Sequence, residues 1–318
     1  MLGLHTVDAL YADLTRVGAR FDTLIPFWLG EPLIHPEFGA IWQASLRVAT
    51  EHGVFGAVEL HTNATHLDRA RARLALNEAP VRQVWHLSLD AATRDTYRRV
   101  KGRDLFETVE ANITAFLAEK ARLGAVWPRP VFQFIVGRNN ANEAEAFVER
   151  WTRVCRDLGI VARVAAQDVP PGDDPVVYLR QLDAPTPEDQ SSENRIFRDV
   201  AARLGLPLPR PELSPAVVVG PNRAVCASPW KSPTVGWDGT VTMCTRDNAH
   251  RQALGNLHQT PFSELWWGRA MGARRARVAA ADYGGLEVCA SCFIPRSGNT
   301  TGITEGEIRG WLQGPHGG

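Results

Sequence analysis

Cysteine is nearly absent from the first two thirds of the chain: Cys155 is the only one before position 226, and four more follow it. A disulfide framework over that region is excluded. Charge of one sign is not in excess either, with 35 Lys plus Arg against 35 Asp plus Glu. That balance leaves no overall basic field for a nucleic-acid backbone or an anionic membrane. No apolar run approaches the roughly 18 residues that span a bilayer. The opening MLGLHTVDAL has neither a charged n-region nor a long apolar h-region, so it does not read as a signal peptide. These absences set the expectation of a cytoplasmic protein, since in reducing surroundings clustered thiolates hold metals more often than they pair as disulfides. No Gly-x-Gly-x-x-Gly follows an early strand, which argues against a Rossmann sheet.

What is present is a repeated β-α pattern. Behind Thr6, read as a cap, Val7, Leu10, Tyr11, Leu14 and Val17 recur at helical spacing, and Gly18 is the stop. A short apolar run over 24–29 reads as a strand weakened by Pro26. A helix over about 36–52 turns Phe38, Ile41, Trp42 and Ala49 inward. Strands are expected at 57–62, 84–89, 131–136 and 160–165, and helices at 67–76, 105–123 and 143–158. The 105–123 helix carries Val109, Ile113, Phe116 and Leu117 on one face. Cys155 falls on the apolar face of its helix with Trp151 and Leu158 and reads as a core thiol. Such a pattern implies an α/β fold with a parallel sheet and helices packed outside it, a TIM-like barrel or part of one.

After position 168 the composition changes. PPGDDP, APTPEDQSSE and LPLPRPELSP mark a proline-rich bridge over 169–215 with one short helix at 194–204. Residues 216–318 form a separate small module. In it WDGT at 237–240 reads as a tight turn between strands at 234–235 and 241–243, and Thr260-Pro261 opens a helix. The locally basic run 269–277 reads as a solvated helix face. The tail GPHGG is expected to fray.

The four late cysteines carry the chemistry. Cys226 and Cys244 flank a hairpin, and Cys289-x-x-Cys292 supplies two more thiols from one turn. Four soft ligands on a rigid frame suit an iron–sulfur cluster or a four-cysteine zinc site. From residue chemistry alone the two stand level, although zinc ribbons usually use two close Cys-x-x-Cys pairs and the first pair here is split by 17 residues.

The order CASPW, GWDGTVTMC, ALGNL, PFSELWWGRAM and CASC resembles the SPASM/twitch auxiliary-cluster domain of radical S-adenosylmethionine (radical SAM) enzymes. No cysteine follows Cys292, so the resemblance implies one auxiliary [4Fe–4S] cluster on Cys226, Cys244, Cys289 and Cys292, and it favours iron–sulfur over zinc. The N-terminal region is similar to the radical SAM partial barrel. Gly30-Glu31-Pro32 resembles the GEP motif that meets the amino group of S-adenosylmethionine. Thr62-Asn63-Ala64 resembles Thr-Asn-Gly, with Ala in place of Gly. Ser88 and Asp90 resemble the strand-end pair that reaches the ribose. The run 97–102 (YRRVKG) and Asn112-Ile113 continue the match, and Gln133 and Asn142-Glu143 lie where cofactor contacts are common.

The departure is the radical-cluster loop. That family carries Cys-x3-Cys-x2-Cys after its first strand, and no cysteine stands before Cys155 here. The expectation is a partial (β/α)6 barrel over 1–168 without its first strand, and a gene start placed too late rather than a true loss. The resemblance implies S-adenosylmethionine and a second [4Fe–4S] cluster only in a longer form. That form would act on a peptide or protein substrate and draw electrons from a reductant such as flavodoxin or ferredoxin. No catalytic residue is named. Two rival readings are a non-catalytic iron–sulfur electron carrier or peptide-binding partner, and a zinc-stabilised binding module.

Overall fold

Apolar strands alternating with amphipathic helices assemble, in a computed structural model describing residues 2–27, 29–76, 79–208 and 225–292, into one parallel sheet and one small antiparallel sheet. In chain order the larger elements are α1 (Leu4–Arg16), β1 (Phe21–Leu24), α2 (Phe38–His52), β2 (Phe55–Thr62), α3 (Arg69–Ala75), β3 (Arg82–Ser88), α4 (Arg94–Lys101), α5 (Phe106–Leu123), β4 (Arg129–Val136), α6 (Ala144–Asp157), β5 (Arg163–Ala166), β6 (Val176–Gln181) and α7 (Pro187–Arg203). There follow α8 (Ser228–Lys231), β7 (Thr234–Val235), β8 (Thr240–Thr242), β9 (Gly255–Asn256), α9 (Phe262–Trp266), α10 (Arg269–Ala279) and α11 (Glu287–Ser291). The chain divides into two compact units, residues 21–216 and residues 1–20 with 217–318.

The first unit is a six-stranded sheet in the order β1-β2-β3-β4-β6-β5, every pairing parallel. Register fixes its two faces. Leu60 pairs with Trp85, Leu87 with Phe132 and Phe134 with Leu179, and these residues face the helices. Trp85 meets Trp42 of α2 edge-on at 5.5 Å and stacks on Phe116 of α5 at 5.9 Å, and Phe132 stacks on Trp151 of α6 at 4.9 Å. On the other, concave face, Val84, Val131, Val176 and Tyr178 form an apolar patch. Toward the C-terminal strand ends that face turns polar, with His61, His86, Ser88 and Gln133. Helix ends follow local chemistry: α2 stops at Gly53, whose φ of +59° is open to glycine and disfavoured for other residues, and α4 is capped by Thr93.

Three expectations are corrected here. The first strand runs Phe21–Leu24, not 24–29 (Trp28 lies outside the described residues). Helix α1 is capped at Gly3, not Thr6, and it clusters with the C-terminal residues rather than with the sheet. The segment 169–215 adds strand β6 between β4 and β5, then the 17-residue helix α7 capped by Thr186. PPGDDP is the crossover from β5 back to β6. The wholly buried Arg129 of β4 clamps it, Nε donating to the Asp174 carbonyl at 2.6 Å and a terminal nitrogen to that of Pro170 at 2.8 Å. A buried guanidinium that donates to two loop carbonyls gives a proline-rich stretch a fixed path, although its second terminal nitrogen is left without a partner among the described residues. The proline-rich tract after α7, over 209–224, lies outside the described residues.

In the second unit β7, β8 and β9 form an antiparallel meander. The turn at 237–240 is present, closed by Gly236 N–H donating to the Thr240 carbonyl at 2.7 Å. Gly255–Asn256, within the ALGNL run, forms strand β9. Helix α1 is tied to α9 by Asp13, whose carboxylate accepts from the Ser263 amide at 2.8 Å and the Ser263 hydroxyl at 2.9 Å. The basic run on α10 is only partly a solvated face. Arg275 is buried, lies 4.9 Å over the Trp266 ring and donates to the Pro229 carbonyl at 2.9 Å. Residues 293–318, with the GPHGG tail, lie outside the described residues.

Leu179 tests whether β6 belongs to the core. It is wholly buried, and Leu179→Ala is expected to cost about 2–5 kcal/mol, the range for truncating a packed core leucine. A urea unfolding curve within a few tenths of wild type would place 169–215 outside the cooperative core.

Candidate functional site

Two groups of residues carry chemistry, one in each unit. In the smaller unit the four late cysteines are delivered by short, separately anchored pieces of backbone. Cys226 precedes α8, and its amide donates to the Tyr283 hydroxyl at 3.1 Å. Cys244 follows β8, and its sulfur accepts from the Arg246 amide at 3.3 Å. Cys289 lies within α11 and Cys292 ends it. The Gln252 side chain joins two of these pieces: Nε2 donates to Cys289 Sγ at 3.5 Å, and Oε1 accepts from the Val288 amide at 3.2 Å. Asp247, buried, holds the loop behind Gln252 by accepting from the Arg251 and Gln252 amides at 2.8 Å each.

The four sulfurs converge. Burial pushes the Cys289 thiol up, the Gln252 hydrogen bond opposes this, and Cys244, Cys226 and Cys292 push it up further. Sulfurs close enough for three of them to act on Cys289 form a site that gains from a cation, because ligation requires thiolates and the metal charge offsets their repulsion. Cys155 stands apart, buried in α6 with its thiol pushed up to about 11 by burial.

In the sheet unit the residues expected to face a cofactor fall into two hydrogen-bonded groups. Gly30 precedes Glu31, and Glu31 caps the short turn Pro32–Ile34 by accepting from the Leu33 amide at 3.0 Å. The same carboxylate accepts from the Thr62 hydroxyl at 2.6 Å and the Asn63 amide at 2.7 Å. Gly30, Glu31, Pro32, Thr62 and Asn63 are thus brought together beyond the ends of β1 and β2. Ala64 has a φ of +58°, the left-handed conformation that explains why glycine is common there. Asn112, on α5, holds this turn by donating to the Ala64 carbonyl at 2.9 Å.

The second group is Ser88, Asp90 and Gln133 with Lys101, which sequence reasoning placed in a motif without naming a role. Lys101 Nζ pairs with Asp90 and donates to the Ser88 hydroxyl at 3.2 Å, while Gln133 Nε2 reaches that hydroxyl at 3.4 Å. Asp90 also accepts from the Ile135 amide at 2.6 Å. Asp90 is therefore internally paired, not an open carboxylate. The groups adjoin: burial raises the Tyr97 hydroxyl's pKa, and the Asp90 and Glu31 carboxylates raise it further. Glu143 is not on this face as a contact residue; it accepts from the Ala92 and Thr93 amides and the Thr93 and Thr96 hydroxyls, holding the start of α4. Burial pushes its carboxyl up, and those hydrogen bonds bring it below the usual range.

One constellation escaped sequence reasoning. Glu59 and His61 on β2 and His86 on β3 gather on the concave face. Burial pushes the Glu59 carboxyl up, but hydrogen bonds from both imidazoles pull it well below the usual carboxylate range. Burial lowers His61 against the pull of Glu59. The signal available beforehand was polar residues alternating with apolar ones inside two core strands.

Residues 226–293 match the SPASM iron–sulfur cluster-binding domain. The chain has the fold of radical SAM proteins that carry a SPASM domain. Among solved structures it is similar to native anSMEcpe with bound AdoMet, at 16% identity and a TM-score of 0.52, covering 86% of this chain and 74% of that one. A second anSMEcpe structure, with AdoMet and a peptide bound, matches at 15% identity and a TM-score of 0.52, covering 86% and 75%. Streptococcus suis SuiB bound to S-adenosylmethionine matches at 9% identity and 0.51, covering 85% and 60%. No curated protein sequence matches the chain. No helix among the described residues is long and apolar enough to cross a membrane.

The Asp90–Lys101 pair gives a direct test of how this polar group is held together. The Asp90 side chain is 5% exposed and that of Lys101 22%, so Lys101→Met leaves a buried carboxylate without its partner. It is expected to cost about 3 kcal/mol, and adding Asp90→Asn should recover part of that. Equal losses in the single and double variants would show that the pair does not act as a unit.

Proposed function

We propose that this chain is an iron–sulfur protein of the radical SAM type whose SPASM module holds one [4Fe–4S] cluster through Cys226, Cys244, Cys289 and Cys292. The observation that carries this reading is the convergence of four cysteines inside the matched iron–sulfur domain. When bound, the cluster supplies one-electron chemistry or a point of substrate attachment. The chain's own part is to anchor the ligands and shield them, with the Gln252 amide and the Arg246 backbone N–H donating to sulfur. Such donors tune the potential of a thiolate-bound cluster.

In the sheet unit, Glu31, Thr62, Asn63, Ser88, Asp90 and Gln133 form the wall that meets S-adenosylmethionine. The carboxylate of Glu31 faces the amino group, and Ser88 with Gln133 offers hydroxyl and amide partners to the ribose. Cleavage of S-adenosylmethionine to a 5′-deoxyadenosyl radical is assigned to a form that also contains the three-cysteine loop, with flavodoxin or ferredoxin as reductant. A peptide or protein is the substrate class, supported by the peptide complex of the anSMEcpe structure and by fold analogy.

Iron and sulfide analysis of anaerobically reconstituted protein tests the first part. About four iron and four sulfide per chain are expected, because the chain holds one complete ligand set. Cys244→Ala should abolish the cluster and loosen the small unit, whereas Cys155→Ala should leave the iron content unchanged. A colourless protein holding one zinc ion would instead support the zinc module.

The second part is tested by product analysis. The 318 residues alone, with dithionite and S-adenosylmethionine, are expected to form no 5′-deoxyadenosine, since a fully protein-ligated cluster offers no open iron. Its formation would overturn the division of labour between the two clusters.

A further inference from the structure

We propose that Glu59, His61 and His86 form a binding site for one divalent transition ion of the zinc type on the concave face of the parallel sheet. The site uses none of the four late thiolates, and it shares the sheet face with Ser88 and Gln133 of the wall assigned to S-adenosylmethionine. Glu59 and His61 are two residues apart on β2 and so share a face. His61 is in register with His86 on β3, which puts the two imidazoles side by side, stacked at 4.1 Å with 7° between planes. The three donor atoms lie within 4.8 Å of one another. Glu59 Oε1 is 2.6 Å from His61 Nε2 and 3.1 Å from His86 Nε2. Ligands bonded at ~2.0–2.2 Å to a common tetrahedral ion sit about 3.4 Å apart, so Glu59 would draw back from each imidazole by less than about 1 Å to admit one.

The donor set selects the ion. Two imidazoles and a carboxylate suit zinc or ferrous iron, whereas magnesium and calcium take oxygen ligands. A second observation points to a ligand on the same face. His86 Nδ1 and Gln133 Oε1 are buried there with no hydrogen-bond partner among the described residues. An ion on Nε2 does not itself satisfy them, but a water or ligand group held beside it would, and buried polar atoms are rarely left without such a partner. The setting is partly dry: the valine cluster continues along the same sheet face, Val131 in register with His86, and Phe27 stacks on His61 at 5.1 Å. Glu59 and His61 nonetheless remain 24% and 20% exposed, so an ion has a way in. Both rings would ligate as neutral imidazoles through Nε2 with the proton on Nδ1. Three protein ligands leave a position for a water or a substrate oxygen or nitrogen.

The probe is zinc chloride, added to the full chain after iron–sulfur reconstitution. One zinc per chain is expected, and zinc X-ray absorption should show nitrogen and oxygen neighbours with no sulfur. Glu59→Gln, His61→Ala and His86→Ala should each weaken zinc binding at least tenfold, roughly the scale lost when even a ligand's outer partner is removed. Their far-UV circular dichroism and urea unfolding of the sheet unit should stay close to wild type, which shows that this unit folds. Zinc bound only through sulfur, no zinc bound, or unchanged affinity in all three variants would overturn the proposal. A failure of the cluster to assemble would bear on the thiolate reading alone, because sulfur and nitrogen neighbours are told apart in the same spectrum.

Discussion

The parallel register that sets His61 beside His86 also sets Leu60 beside Trp85, and the sheet unit depends on that single alignment. Strands alternate faces with a period of two, so a slip of one residue exchanges the faces. Trp85 would then leave Trp42 and Phe116 for the concave side, and His86 would be pressed among aromatic rings. The large aromatic contacts behind the sheet therefore hold the chemistry in front of it, although none of them touches it. Mutating the apolar side would disturb the polar side through register before it disturbed it through contact.

The small unit works under a different constraint. Its sheet has three strands of two or three residues each, and its buried apolar side chains, among them Leu14, Val241, Met243, Phe262, Trp266 and Met271, come mainly from short helices. A module of that size gains little from hydrophobic burial alone and typically relies on a metal or a crosslink. Its polar buried groups are correspondingly well supported: Asp247 by two amides, Gln252 by Cys289 and Val288, Arg275 by Pro229 and Trp266. Helix α1 adds an anchor from the far end of the sequence through Asp13 and Ser263.

Much of this was legible in the residues. The long amphipathic helices and the strands at β2, β3 and β4 stand close to where periodicity put them, because each buries an unbroken apolar stripe. The cysteine spacing and the hairpin turn were equally plain. What escaped has identifiable causes. Strand β6 was hidden because PPGDDP looks like a linker unless a distant arginine is known to clamp it. Helix α1 looked like part of the barrel because sequence order says nothing about which unit a helix joins. The Glu59, His61 and His86 trio was invisible because only register brings β2 and β3 together. Asp90 was read correctly as a strand-end residue, but its pairing with Lys101 depends on where α4 turns back.

Cys155 has a use that its burial creates. A thiol with a pKa of about 11 is ionised in only about one molecule in ten thousand at pH 7, and thiolate is the form that alkylating reagents attack. In the folded protein this cysteine is therefore silent on two counts, access and ionisation. It answers a reagent only when α6 lifts from the sheet, so its labelling rate clocks the opening of that helix. With the other cysteines all in the opposite unit, the chain carries a single-site reporter of sheet-unit breathing, with no engineered probe required.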